Sequence, residues 1–166
     1  VSDDGYLYCV DAKTGVLQWK IPGGPDERRL LGNDRLISLW PARGGPVLLE
    51  GKVYFAAGIW PFMGIFLHAV DAETGRILWT NSGTGSTWMP QPHYSPGFAA
   101  IAPQGYLAAE GDLLVVSGGR TEPATFDRTT GRLIRFEMDW MEGGYEVALL
   151  EGYSFNVKKV TESRSG

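Results

Sequence analysis

The stretch Asp71-Ala72-Glu73-Thr74-Gly75-Arg76-Ile77-Leu78-Trp79 decides how this chain is read. It stands earlier, nearly letter for letter, as Asp11-Ala12-Lys13-Thr14-Gly15-Val16-Leu17-Gln18-Trp19. It stands a third time, altered, as Asp127-Arg128-Thr129-Thr130-Gly131-Arg132-Leu133-Ile134-Arg135-Phe136. The copies begin at 11, 71 and 127, at intervals of 60 and 56 residues. Self-similarity at a near-fixed period marks a repeat architecture.

Each copy has the same physical grammar. An apolar, β-prone run enters the Asp: Tyr6-Leu7-Tyr8-Cys9-Val10, Ile65-Phe66-Leu67-His68-Ala69-Val70 and Ala124-Thr125-Phe126. A second β-prone run leaves the Gly. Between them, Asp-x-x-Thr-Gly supplies acceptors for the turn amides and a Gly that takes a positive φ without penalty. The unit is a β-hairpin closed by an aromatic residue. One hairpin is marginal in water, so each must pack on neighbours.

Outward from the hairpins, the second copy is the most complete. Residues 46–49 and 53–57 read as two strands around the turn Glu50-Gly51-Lys52, ahead of the hairpin that ends at Trp79. Residues 106–109 and 113–117 repeat this around Glu110-Gly111-Asp112, and 147–153 begin a fourth copy, again with Glu-Gly. Four antiparallel strands joined by tight turns make one propeller blade. The expected units are therefore 1–21, 46–80, 105–137 and the start of a fourth at 145–157. Long connections are expected at 22–45 and 81–104, and a polar tail without core pattern at 158–166. Three blades do not close a ring of the usual four to eight. The expectation is a partial propeller, completed by remaining blades of the same chain.

Composition agrees. The 166 residues include 23 Gly, 10 Pro and 20 aromatic residues (six Trp, seven Tyr, seven Phe), with only 20% charged, which suits an all-β fold. A net charge of −4 with no basic stripe argues against nucleic-acid binding. No run reaches the length of a transmembrane helix. The lone Cys9 allows no intrachain disulfide and is expected as a buried free thiol.

The pattern "LYCVDAKTGVLQW", repeated as "LHAVDAETGRILW", resembles the repeat of the PQQ-like, quinoprotein-type β-propellers. That family holds pyrroloquinoline-quinone alcohol dehydrogenases as well as cofactor-free relatives such as the lipoprotein of the outer-membrane barrel-assembly machinery. The resemblance covers about residues 1–137; its third copy departs, with Arg135-Phe136 where the Trp would stand. It implies a ring of seven or eight blades and a periplasmic or cell-surface location. It also implies docking between blades by Trp19 and Trp79, with the turn residues Asp11, Thr14, Gly15, Asp71, Thr74, Gly75, Asp127, Thr130 and Gly131 as scaffold. For the dehydrogenases it implies a quinone stacked on a Trp against a vicinal disulfide, with Ca²⁺ held by Glu, Asn and Asp. One cysteine cannot make that disulfide within this sequence.

Blade topology sends the loop between second and third strands, and the blade-to-blade connection, to one face of the ring. That face collects Trp40, Arg43, Trp60, Phe62, Trp88, His93 and Arg120, a candidate surface for a protein partner or a small ligand. Elsewhere the chemistry is thin. His68 sits in an apolar strand and is expected to pack, and His68 and His93 carry no adjoining ligand for a metal signature. The Gly-rich run at 82–87 lacks the Lys of a phosphate loop. Asp139, Glu142 and Glu146 read as solvated surface. The expected function is a non-catalytic binding or scaffold domain with no cofactor. The alternative is part of a PQQ- and calcium-dependent dehydrogenase.

Overall fold

In a computed structural model the described residues are 1–32, 34–83, 87–90, 96–118, 121–137, 144, 146–156 and 159–163. They form only strands, turns and one 3-10 turn at Pro61–Met63. Two sheets are full four-stranded antiparallel meanders. One runs β5 (Ala42–Leu49), β6 (Lys52–Ala57), β7 (Phe66–Asp71) and β8 (Ile77–Asn81). The other runs β11 (Leu107–Glu110), β12 (Leu113–Gly118), β13 (Thr121–Asp127) and β14 (Leu133–Arg135). Ahead of them lies the hairpin β1 (Tyr6–Val10) with β2 (Leu17–Pro22). After them lie β15 (Val147–Leu150), β16 (Tyr153–Asn156) and β17 (Val160–Glu162). These four sheets are blades 1 to 4.

Strand β6 shows why the blades are buried on both faces. Side chains of a strand alternate sides. Phe55 and Ala57 join Leu7, Ile21, Trp40, Ala42 and Val70 in the core between blades 1 and 2. Tyr54 and Ala56 join Leu67, Ala69, Leu107, Leu114, Val116 and Phe126 in the core between blades 2 and 3. An alternating polar face would leave one of these cores unfilled. Each large apolar side chain so buried contributes about 1.5–3 kcal/mol.

Four expectations are corrected. The connection at 22–45 holds a hairpin, β3 (Arg29–Gly32) with β4 (Arg35–Ser38), and β5 starts at Ala42, continuing through an irregularity between Arg43 and Val47. The connection at 81–104 holds β9 (Thr87–Pro90) paired with β10 (Pro96–Ala99). The turn in the third repeat is one residue later than the Glu-Gly echo suggests. Leu49 pairs Lys52 around Glu50-Gly51, whereas Glu110 pairs Leu113 around Gly111-Asp112. Glu50 and Gly51 both have positive φ, as do Glu151 and Gly152, the type I′ pattern; in the third only Gly111 does.

The fourth correction concerns the tail. Tyr153 faces Glu162 across the sheet just as Lys52 faces Asp71 and Leu113 faces Asp127. The Ser163 amide donates to the Gly152 carbonyl (2.9 Å), repeating Ala72 to Gly51 (2.9 Å) and Arg128 to Asp112 (2.7 Å). Glu162 therefore holds the place of the turn aspartate, and Glu162-Ser163-Arg164-Ser165-Gly166 repeats the Asp-x-x-Thr-Gly order in sequence. Charge-rich replacements hid this copy from a hydrophobic pattern.

Candidate functional site

The three Asp-x-x-Thr-Gly turns are one structure. In the second, Asp71 Oδ1 accepts from the amides of Glu73 (3.2 Å) and Thr74 (2.8 Å) and from the Thr74 hydroxyl (2.7 Å), while Thr74 Oγ1 accepts from the Arg76 amide (3.3 Å). Asp11 and Asp127 repeat the pattern with Thr14 and Thr130. These bonds hold all three carboxyls below the usual carboxylate range, led by the Thr hydroxyl at Asp11 and Asp71 and by the Thr130 amide at Asp127.

The closing tryptophan of one unit lies on the turn of the next. Trp19 Nε1 donates to the Ala72 carbonyl (3.2 Å), and a Cβ built on Gly75 would meet the Trp19 ring at 2.8 Å. Trp79 Nε1 donates to the Arg128 carbonyl (3.1 Å), and a Cβ on Gly131 would meet Trp79 at 2.5 Å. Gly is needed there twice over, for the indole above it and for a φ of 74° or 73°.

Three of the opposite-face candidates stand on neighbouring elements. Trp60 (45% exposed) and Phe62 (59%) border and form the 3-10 turn, and Trp88 (59%) lies on β9. The partner of β9, β10, packs against that 3-10 turn. The β3–β4 hairpin flanks it on the other side, leaving a shallow apolar cleft between Leu30, Ile37, Leu39 and Trp60, Met63. Trp40 is not part of this surface, which corrects its place among the candidates. Only 3% exposed, it donates from Nε1 to the Met63 carbonyl (2.7 Å), meets Phe66 edge-on and carries the Arg28 guanidinium on its ring (4.8 Å). It is the pillar under the turn. Arg43 is tied to Asp3 (3.1 Å), which also binds Arg35. His93 and Arg120 lie outside the described residues.

Sequence reasoning missed the leucines of the inserted hairpin. Leu31 and Leu36 pair directly across β3 and β4, and both are exposed on the side of the hairpin opposite the Leu30–Ile37 pair that lines the cleft. The signal was present: Gly-Asn-Asp between two apolar pairs is hairpin chemistry. It also missed Arg128, which replaces the Ala of the other copies. Its buried guanidinium donates to the Gly111 carbonyl (2.6 Å), Tyr54 Oη (3.1 Å) and Glu50 (2.6 Å), joining blades 2 and 3.

His68 is packed, as its apolar strand suggests. It stacks on Phe55 at 4.8 Å, its Nε2 donates to the Gly23 carbonyl (2.9 Å), and Nδ1 faces the Thr80 hydroxyl (2.9 Å). Burial pushes its pKa down. Cys9 is a half-buried free thiol, less enclosed than expected.

Two antiparallel four-stranded meanders packed on each other, with a hairpin ahead of them and a three-stranded antiparallel sheet after them, are blades of a β-propeller. The solved structures it resembles include BamB from Moraxella catarrhalis, with a TM-score of 0.59, 19% identity, and coverage of 91% of this chain and 38% of that one. They also include a quinohemoprotein alcohol dehydrogenase from Pseudomonas putida, with a TM-score of 0.62, 16% identity, and 96% and 32% coverage. No family model matches the chain. Among curated proteins it is 36% identical over 98 residues to the dehydrogenase subunit of a quinone alcohol dehydrogenase from Gluconobacter oxydans. It is 38% identical over 77 residues to its counterpart from Gluconacetobacter polyoxogenes. With the repeat grammar above, these likenesses are to PQQ-like β-propellers, catalytic and non-catalytic alike, and the fold they share is the β-propeller. It spans only 12% and 10% of the two curated relatives' lengths.

The quinone and calcium of the dehydrogenases can be tested against the residues present. Among the described residues no three His, Cys, Asp or Glu side chains converge to hold a metal ion. Trp60 and Trp88, the tryptophans that could offer a stacking face, are both exposed, while the single cysteine makes no vicinal disulfide within this sequence. No described helix is long and apolar enough to cross a membrane.

Proposed function

We propose that this protein is a non-catalytic binding or scaffold propeller that engages a protein partner or small ligand through the face built by Trp60, Phe62 and Trp88. The observation that carries it is the exposure of these three large aromatics on adjoining elements, braced from below by Trp40. Aromatic side chains held on a rigid frame are the usual energetic anchors of interfaces. Leu30 and Ile37 extend the surface across the cleft from Trp60. The family resemblance supports the periplasm or the cell surface as its location.

The identity to quinone alcohol dehydrogenase subunits favours a second reading, part of a quinone- and calcium-dependent dehydrogenase. One experiment separates the two. Pyrroloquinoline quinone with Ca²⁺ is titrated against the protein while tryptophan fluorescence is recorded. The binding reading expects no saturable, calcium-dependent quenching, and saturable quenching at low micromolar quinone overturns it. Partners retained by the immobilised protein and lost from a folded Trp60→Asp/Phe62→Asp variant then locate the surface.

A further inference from the structure

We propose that the outer edge of β3, in the hairpin inserted between blades 1 and 2, receives an extended segment of a protein partner as an added strand. This rests on the binding reading above and names the form of the partner. Backbone phase carries it. The Leu39 amide donates to the Arg28 carbonyl (2.9 Å), so residues 28 and 39 are a hydrogen-bonded pair of the hairpin. Such pairs alternate along an antiparallel ladder, which bonds 30 to 37 and 32 to 35 and turns the backbone groups of 29, 31, 36 and 38 outward. The Ser38 amide has that phase: it reaches out to the Asp3 carbonyl (2.8 Å).

Asp3 thus takes up part of the β4 edge, and β3 has no such neighbour. The sheet has two strands, and among the described residues none bonds to the amide or carbonyl of Arg29 or Leu31. Donors and acceptors alternating at strand spacing are satisfied together by another extended backbone. An exposed apolar edge is a template for such pairing, and Leu31 on this edge is 76% exposed.

Side chains set the sequence the segment needs. Arg29 and Leu31 share one side of β3, while Leu30 lies on the other, toward the cleft bordered by Trp60 and Met63. The added strand therefore places an acidic residue opposite exposed Arg29, an apolar residue beside Leu30 where it covers the cleft, and a second apolar residue opposite Leu31. The outer blade strands β2, β8 and β14 also end their sheets, but none of them lines that cleft.

A displayed library of random nonapeptides selected on the protein tests this, and an enriched peptide is then synthesised and titrated into the ¹⁵N-labelled protein. The expected result is an acidic residue next to two consecutive apolar ones, with saturable shifts at the Arg29 and Leu31 amides. Methylating every second peptide amide should weaken binding about tenfold in one phase and less than about twofold in the other, because only one edge of the peptide pairs. Leu31→Pro deletes an outward donor without touching a ladder bond, and should also weaken binding about tenfold. Peptides that bind Leu31→Pro as well as the parent, shift β8 instead of β3, or lose affinity equally in both methylation phases would overturn the inference. Where such peptides depend instead on Trp60 and Phe62, the binding reading stands without it. A library that yields no binder overturns it as well. Should Leu31→Pro not fold, Arg29→Pro removes the other outward donor with the same expectation.

Discussion

The junction between blades 2 and 3 and the junction between blades 3 and 4 solve one problem with different chemistry. In the first, Trp79 covers Gly131 and backs a core of Tyr54, Leu67, Leu114 and Phe126. In the second, Arg135 stands eight residues after its turn aspartate, where Trp79 stands after Asp71. Its guanidinium binds Glu122 (3.5 Å) and Glu137 (2.6 Å), and Glu122, almost wholly buried, also takes the Lys159 ammonium. Apolar burial is non-directional and stabilises in proportion to area. A buried ion pair stabilises little over an apolar pair but is costly to break, because one charge is left stranded. We therefore expect the first junction to carry more of the stability, and the second to be sensitive chiefly to the loss of one charge partner.

The largest effect is expected at the aromatic junction. Trp79→Ala removes the indole, its bond to the Arg128 carbonyl and its contact with Tyr54. We expect a loss of about 3–5 kcal/mol in chemical denaturation. A loss under about 1 kcal/mol would break the comparison, since the indole would then be decoration on a core that stands without it.

The ionic junction comes next. Arg135→Met leaves Glu122 buried with Lys159 as its remaining cation, and should cost about 1–3 kcal/mol. Glu122→Leu combined with Arg135→Met should recover much of that loss, because the one deeply buried charge is then gone and the partners left over, Lys159 and Glu137, are exposed enough to be hydrated. A double-mutant cycle measures the coupling. If the double variant is as unstable as the sum of the singles, the pair acts independently and the contrast with Trp79 fails.

The repeat was legible in the sequence because its turn needs fixed chemistry. Asp, Thr and Gly recur wherever one carboxylate must collect the turn amides and a positive φ must follow. The continuous apolar runs of β6 and β12 were legible for the same reason, since two-sided burial leaves no room for polar alternation. The inserted hairpins were not, because β3–β4 and β9–β10 lie outside the blade frame and have no second copy to be recognised by. The tail was misread because Glu162 and Ser163 keep the register of the fourth turn while abandoning its letters. Trp40 illustrates the limit for the candidate surface. Loop position put it beside Trp60, but only the bond to the Met63 carbonyl shows that it supports the turn from beneath.

A smaller effect marks the blade 1–2 junction, where, among the described residues, a buried imidazole bridges two blades. Its pKa is lowered by burial from 6.5, so as pH falls below that value the unfolded chain binds a proton before the folded one. Stability should therefore decline from about pH 6.5 down to the depressed folded value and gain no further slope from this group below it. His68→Asn should flatten that part of the profile in urea titrations at successive pH values. The turn aspartates act lower. Their folded pKa values are depressed, so their contribution is complete above about pH 4 and is lost as the pH falls through the folded values. Asp71→Asn should reduce the acid slope there and leave the His68 slope untouched. If it changes the slope near pH 6 instead, the two junction elements are coupled through β7, and blades 1 and 2 must be treated as one cooperative unit.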